Sequence, residues 1–305
     1  MGSIFGFRNP GELVINLTTK CNQMCLNCPN DDSFRAHNLT KDEVLKYIDD
    51  NWGDDIYIVS FIGGEPTISP FLFDVMFHIL KKKSNVRIHI NSNGMMFYYQ
   101  WFCDKFRFLK QKGFDFHIEF GFYSPFPIVH DRITQVPGSW YKTLKGLKNM
   151  FERGFDIGIR TVVSKMNYKT LKFYGEMIKK QNLSGIRSFT FIGMDVIGMA
   201  LENKDKLLVS HQEIAPEIEK AITNLIVAGF PQELIQIHLL PKALFSPKFR
   251  KFVVRSGCVG GAFMDNGPEC RRCIYYNECP HLLKSYVNFY GVGEHKPVIR
   301  QHEDK

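Results

Sequence analysis

Between residues 13 and 192 the chain alternates short apolar runs with longer stretches of helical period, and few folds accommodate that rhythm. The runs predicted as strands are 13–17, 56–62, 86–90, 114–120, 158–163 and 188–192. Between them the spacing predicts helices over 41–50, 70–82, 98–110, 139–153 and 168–181, the first opened by Thr40 with Glu43 at the third position after it. Strand, helix, strand in repetition requires parallel pairing with right-handed crossovers, so the helices lie outside the sheet. A closed eight-unit barrel averages about 250 residues. Six units therefore predict an α/β fold of the partial (β/α)6 TIM-like barrel type. A possible seventh strand, 235–239, follows a helical stretch near 212–228.

Beyond residue 240 the rhythm fails. Residues 241–305 hold four cysteines and five of the 14 prolines, with little clean periodicity. We expect a barrel over 1–240 and a small C-terminal metal-binding extension over 241–305, stapled by its ligands because it has little core of its own. A hydrophobic fraction of 44% excludes a disordered chain, and no apolar run reaches the roughly 18 residues of a membrane span. The first ten residues lack the apolar centre of a signal peptide, so a cytoplasmic location without membrane contact is expected. The net charge of +8 is scattered. Its one run, Lys81 to Lys83, falls at a predicted helix end where cations suit the dipole, and no aromatic platform accompanies it, so a nucleic-acid partner is not expected.

The eight cysteines carry more chemistry, because without a secretory signal they read as metal ligands or catalytic groups before disulfides. Cys103, alone in a helical stretch, reads as a small buried hydrophobe. Cys21, Cys25 and Cys28 follow the end of the first strand, on the face of a parallel barrel where loops converge on a ligand. Three thiolates can hold three irons of a cubane and leave the fourth open. A structural zinc would want four ligands, and the nearest fourth candidate is His37, nine residues past Cys28.

A second motif, Gly63-Gly64-Glu65-Pro66, stands at the end of the second strand. Cys-x3-Cys-x2-Cys after strand one, with Gly-Gly-Glu-Pro after strand two, resembles the radical S-adenosylmethionine (radical SAM) superfamily over about residues 10 to 200. The resemblance implies a [4Fe-4S] cluster on Cys21, Cys25 and Cys28 whose open iron chelates S-adenosylmethionine. It also implies reductive cleavage of that ligand to a 5′-deoxyadenosyl radical, and a flavodoxin- or ferredoxin-type electron donor. Gly63, Gly64, Glu65 and Pro66 would receive the ligand's ammonium. Asn91 and Asn93, in Asn91-Ser92-Asn93-Gly94, suit ribose hydroxyls, although an Asn-Gly turn explains them equally. Ser124 and Arg160 match positions that contact ribose or carboxylate in the family, with an ion pair to Glu119 as the plainer role of Arg160. Ile192, in Phe191-Ile192-Gly193-Met194, resembles the apolar adenine-facing stretch or else closes a core strand. Where the family usually has an aromatic residue before the third cysteine, this chain has Asn27.

The late cysteines, Cys258, Cys270, Cys273 and Cys279, can close a site around a four-iron cluster or one zinc. They resemble in part the SPASM or twitch extensions of peptide-modifying radical enzymes, which implies one auxiliary iron-sulfur cluster, with zinc the alternative. The aromatic tail around Tyr275, Tyr276, Tyr286 and Tyr290 reads as packing of this extension onto the barrel before it reads as a substrate channel. His130, Asp131 and Arg132, with Gly138, are candidate substrate contacts in the loop after the fourth strand. The function expected is hydrogen abstraction from a ribosomally made peptide or protein. A small metabolite or nucleotide as substrate is the alternative. A non-catalytic iron-sulfur or zinc protein with a redox or binding role is the reading of another class.

Overall fold

The computed structural model describes residues 4–255, 263–264 and 268–299. Its centre is one eight-stranded sheet in sequential order, β1 (Gly6–Asn9), β2 (Glu12–Thr18), β3 (Ile58–Gly63), β4 (Arg87–Ser92), β5 (Asp115–Gly121), β6 (Asp156–Val163), β7 (Ser188–Gly193) and β8 (Ile235–His238). From β2 to β8 every pairing is parallel, which gives the open, partial barrel expected of repeated strand-helix units. The possible seventh strand of the repeat is present as β8. The hairpin strand β1, antiparallel to β2, was not expected. Four residues, Gly-Phe-Arg-Asn, carry no readable period, and only the turn at Gly11, with φ at +76°, brings them back onto β2.

The helices Lys41–Asn51, Leu72–Lys82, Gln100–Gln111, Ser139–Glu152 and His211–Val227 lie within a few residues of their predicted places. Thr40 and Glu43 form the expected capping box. The helix predicted over 168–181 is instead a 3-10 segment, Tyr168–Phe173, followed by an α-helix, Tyr174–Lys180. At its start the Thr170 hydroxyl and amide both turn onto the Asn167 carbonyl, and such local side-chain bonds compete with the α ladder. Helix Pro127–Thr134 was read as loop, being short and opened by proline after an irregular turn.

Alternation along the strands sorts the two faces. Leu13, Ile15, Phe61, Ile90, Ile118, Ile159 and Phe191 join the helices in one continuous core. Cys103 lies wholly inside that core, as a small apolar residue would. The intervening residues include Glu12, His89, His117, Glu119, Arg160 and His238, so the inner face of the barrel is polar.

Past β8, Phe245, Phe249, Phe252 and Val253 still belong to the main core. Strands β9 (Phe263–Met264) and β10 (Leu282–Leu283) then pair antiparallel, and helix Lys284–Tyr290 follows. Tyr286 stacks on His211 with ring centroids 3.4 Å apart, so this part of the aromatic tail does serve packing. Among the described residues no helix is long and apolar enough to cross a membrane.

Candidate active site

Seven parallel strands deliver their carbonyl ends to one rim, and the cysteine loop lies across it. Its amides are tied to several other segments: Met24 N–H donates to the Thr134 carbonyl (3.1 Å) and Leu26 N–H to that of Ile133 (2.9 Å), while Ala200 N–H donates to the Cys28 carbonyl (3.1 Å). On the other side Gly64 N–H reaches the Thr18 carbonyl (2.7 Å) and Glu65 N–H that of Lys20 (2.8 Å). The two glycines are needed for this docking. A Cβ on Gly63, at φ +119°, would lie 2.4 Å from the Thr18 oxygen, and one on Gly64 2.1 Å from the Lys20 oxygen. The Gly-Gly pair thus seats the segment that leads directly into Cys21.

Glu65 is buried, and its carboxylate is filled by protein donors. Oε2 accepts from Asn93 N–H (2.6 Å), while Oε1 accepts from Thr67 N–H (3.0 Å), the Thr67 hydroxyl (2.5 Å) and the Ser92 hydroxyl (2.8 Å). It clamps the end of β3 to the end of β4, with Pro66, also buried, opening the short 3-10 turn Pro66–Ile68. Burial pushes the Glu65 carboxyl up against the pull of these bonds. Asn93 extends the clamp: its Nδ2 donates to Asn22 Oδ1 (2.6 Å) and lies 3.9 Å from Cys21 Sγ. Asn91 is half-buried on β4.

The three cysteines share this corner, Cys25 buried and Cys21 and Cys28 half-buried. Cys21 is pushed up to about 11, first by burial and then by the Glu65 charge. Cys25 is pushed further up by burial and by Cys21 and Cys28 beside it. Gln23 sits between them, its N–H donating to Cys21 Sγ (3.4 Å) and its Oε1 accepting from Cys25 Sγ (3.2 Å). Cys21 and Cys25 thus resist ionising unaided, and metal cations that take thiolate ligands supply the missing compensation. The donor set therefore fits an iron-sulfur cluster held by three cysteines.

The remaining expected residues divide. Ser124 is fully buried; its hydroxyl pairs with Thr170 Oγ1 (3.0 Å) and accepts from Phe126 N–H (3.1 Å), which fixes the loop after β5 and leaves it no open side. Ile192, near the end of β7, is buried and registers with His238. Arg160 lies 3.8 Å from Glu119, the plainer role considered for it. His130 and Asp131 turn inward. His130 Nδ1 accepts from Tyr123 N–H (3.1 Å), and burial holds that ring down to about 4. Asp131 accepts from Gly138 N–H (2.6 Å) and Trp140 N–H (2.7 Å), capping the helix Ser139–Glu152.

Two groups escaped the sequence reading. Gln23 and Tyr123, whose hydroxyl bonds Cys25, belong to no recognisable pattern. Of the inner-face network of Arg160, Glu119, His117 and Asp156, the sequence reading held only the Arg160–Glu119 pair; His117 and Asp156 were signalled only by polar residues at alternate strand positions. Burial opposes charge on both Glu119 and His117, yet bonds from His117 to Asp156 and Glu119, with Arg160 beside Glu119, prevail, leaving Glu119 at about 2 and His117 at about 9. The ring bonds Asp156 Oδ1 at 3.0 Å. A raised histidine stabilises fully below its unfolded value near 6.5 and loses that contribution as pH rises through about 9. We therefore expect stability to fall by roughly 2 kcal/mol between pH 6.5 and 9.5 in urea titrations, at one pKa unit per 1.4 kcal/mol discounted for coupling, and this fall to vanish in His117→Gln. An equal fall in the variant would refute the assignment.

In the extension, Cys270, Cys273 and Cys279 line one cavity with His281 and His295. The Lys242 and His281 amides donate toward Cys279, and His295 Nε2 lies 3.0 Å from His211 Nδ1. Cys258 lies outside the described residues.

The sequence profile of the radical SAM superfamily matches residues 15–174. Among curated proteins, the Fe-coproporphyrin III synthase of Methanosarcina barkeri (strain Fusaro / DSM 804) is 23% identical over 228 residues, 74% of this chain and 55% of that protein. The AdoMet-dependent heme synthase of the same organism is 27% identical over 175 residues, 56% of this chain and 48% of that protein. The chain thus spans about half the length of these curated relatives. Among solved structures, Streptococcus suis SuiB bound to precursor peptide SuiA superposes with a TM-score of 0.56 at 16% identity, covering 75% of this chain and 48% of that one. The structure of anSMEcpe with bound AdoMet gives 0.51 at 17% identity, covering 71% and 57%. At these identities the structural likeness speaks for the fold. With the cysteine loop, the glycine-seated second strand end and the matching profile together, the chain belongs to the radical SAM superfamily, whose enzymes use a [4Fe-4S] cluster and S-adenosylmethionine.

Proposed function

We propose that Cys21, Cys25 and Cys28 hold the [4Fe-4S] cluster of an enzyme that abstracts hydrogen from its substrate. The observation that carries this reading is the loop of three cysteines, Cys25 buried and Cys21 and Cys28 half-buried, locked by Gly63, Gly64, Glu65 and Asn93 to the next two strand ends. When bound, the cluster and S-adenosylmethionine together supply one-electron cleavage of a carbon-sulfur bond and a 5′-deoxyadenosyl radical. The chain's own residues position and shield that chemistry. Glu65, already filled by four donors, holds the rim in register, so the ligand's ammonium falls to backbone carbonyls of the Gly63 to Pro66 segment. Arg160, about one-third exposed and only loosely paired, keeps donors for a carboxylate. Asn91 and Asn93 offer polar groups to the ribose, and Ile192 an apolar one to the adenine. The burial of Ser124 favours a supporting role beneath this pocket.

For the substrate we keep a ribosomally made peptide or protein, on the strength of the cysteine-rich extension from residue 241. There Cys270, Cys273 and Cys279, with Cys258, would hold an auxiliary iron-sulfur cluster or a zinc. A second reading is an anionic small molecule. It is favoured by the partly exposed, loosely paired Arg160 on the barrel's inner face, and by two curated relatives that are named for iron-coproporphyrin and heme synthesis. The reductant would be a cytoplasmic flavodoxin- or ferredoxin-type protein.

Anaerobic incubation of the iron-loaded protein with dithionite and S-adenosylmethionine is expected to yield 5′-deoxyadenosine. Iron-replete protein that forms none would leave a non-catalytic iron-sulfur protein. Deuterium transfer into 5′-deoxyadenosine from labelled peptide or from labelled tetrapyrrole separates the two substrate readings.

A further inference from the structure

Gln23, between Cys21 and Cys25, is 2% exposed and set among three sulfur atoms. Its backbone N–H donates to Cys21 Sγ (3.4 Å), its Oε1 accepts from Cys25 Sγ (3.2 Å) and its Nε2 donates to Met95 Sδ (3.3 Å). Thiols and thioethers are weak hydrogen-bond partners, so the carboxamide recovers little of what its burial costs. An apolar side chain of similar size would avoid that cost. The residue is held on both sides: Asn22 Oδ1 accepts from Asn93 Nδ2 (2.6 Å), and Met24 N–H donates to the Thr134 carbonyl (3.1 Å). The amide is therefore fixed between the sulfurs of Cys25 and Met95.

These contacts change meaning once Cys25 is a ligand. A cysteine bound to iron carries no proton, so it stops donating to Oε1 and becomes a charged acceptor. A half-turn about the last carbon–carbon bond exchanges the two ends of the amide. It brings Nε2 to the place of Oε1, 3.2 Å from Cys25 Sγ, and gives up only the weak bond to Met95 Sδ. Hydrogen bonds to a charged acceptor are roughly twice as strong as neutral ones, which favours the exchanged arrangement. Donors on cluster sulfurs help to set the reduction potential, because they hold the more negative, reduced form more tightly than the oxidised one. Resting on the reading that Cys21, Cys25 and Cys28 hold the cluster, we propose that the Gln23 carboxamide donates to the Cys25 thiolate and thereby raises the cluster's one-electron reduction potential. The residue acts through Cys25. One electron arrives from the reductant, the cluster gains one negative charge, and no bond between protein and iron is made or broken.

The test poises the anaerobically reconstituted full chain with dithionite at graded solution potentials. Reduced cluster is read by electron paramagnetic resonance, from the signal that added S-adenosylmethionine perturbs. Gln23→Leu is expected to lower the ratio of reduced to oxidised cluster at fixed potential roughly tenfold, which is about 59 mV for one electron, with iron and sulfide per chain unchanged. Met95→Leu removes the competing sulfur and is expected to cause no such fall. A leucine variant at position 23 with the unsubstituted potential overturns the proposal. So does an equal fall in Met95→Leu, which traces the effect to packing, or a loss of iron in step with the loss of signal, which gives the amide a role in assembly alone. Should Gln23→Leu take up no cluster, Gln23→Met, of similar length and equally without a donor, carries the same comparison, and failure of both to load overturns the proposal too. An unsubstituted protein without a signal that responds to S-adenosylmethionine overturns the underlying cluster reading instead, and is told apart by that result.

Discussion

Cys25→Ala is expected to abolish 5′-deoxyadenosine formation and to leave a folded protein that retains little or none of the first cluster. The side chain is buried beside Gln23 and Tyr123, so removing one sulfur leaves a small cavity and takes a partner from the Gln23 amide oxygen and the Tyr123 hydroxyl. That costs about 1–3 kcal/mol against a total stability of about 5–15 kcal/mol for a typical domain. The chemical loss is of another order, because a cluster held at three corners has no spare protein ligand. Iron and sulfide per chain, a far-ultraviolet melting curve and product analysis make the measurement together. A variant with native melting, full iron at this site and undiminished product would refute the ligand assignment.

Glu65→Gln is expected to destabilise the protein by about 2–4 kcal/mol and to weaken cluster loading. The replacement has the same shape, but one carboxylate oxygen becomes an amide group that donates. Either Asn93 N–H or the Thr67 and Ser92 donors then face another donor at a buried carboxamide. A buried unsatisfied N–H costs about 1–3 kcal/mol, and the charge-assisted character of the remaining bonds is lost besides. Because Glu65 also raises the Cys21 thiol, the variant should make that thiol easier to ionise. Urea unfolding, with iodoacetamide trapping of Cys21 across pH, reads both effects. An unchanged unfolding midpoint would show that the clamp does not hold the rim.

Much of this was legible in the chain because it is written in local periods. Apolar residues at alternate positions gave six parallel strands, since each must cover a helix-facing core, and the capping box at Thr40 and Glu43 marked a helix start from two residues alone. The cysteine spacing and the Gly-Gly-Glu-Pro sequence named the family because their chemistry is carried by residue types at fixed offsets. The 3-10 break at Tyr168–Phe173 and hairpin strand β1 were not legible, since each depends on one local hydrogen bond or turn against a propensity with no strong preference.

Roles within the site were decided otherwise. The sequence offered Glu65, Ser124, His130 and Asp131 as ligand or substrate contacts by position. Only the folded chain shows Glu65 filled by donors from three residues, Ser124 closed against Thr170, and Asp131 capping a helix. Gln23 beside Cys25 and the unpaired amide of Asn27 likewise belong to the tertiary structure. Residue types and offsets therefore determined the fold class and the three candidate cluster thiols, because both repeat along the chain. Which polar group is already satisfied and which still lacks a partner depends on atoms brought together from distant segments, as Asn22 and Asn93 are from 71 residues apart, and only packing sets those distances.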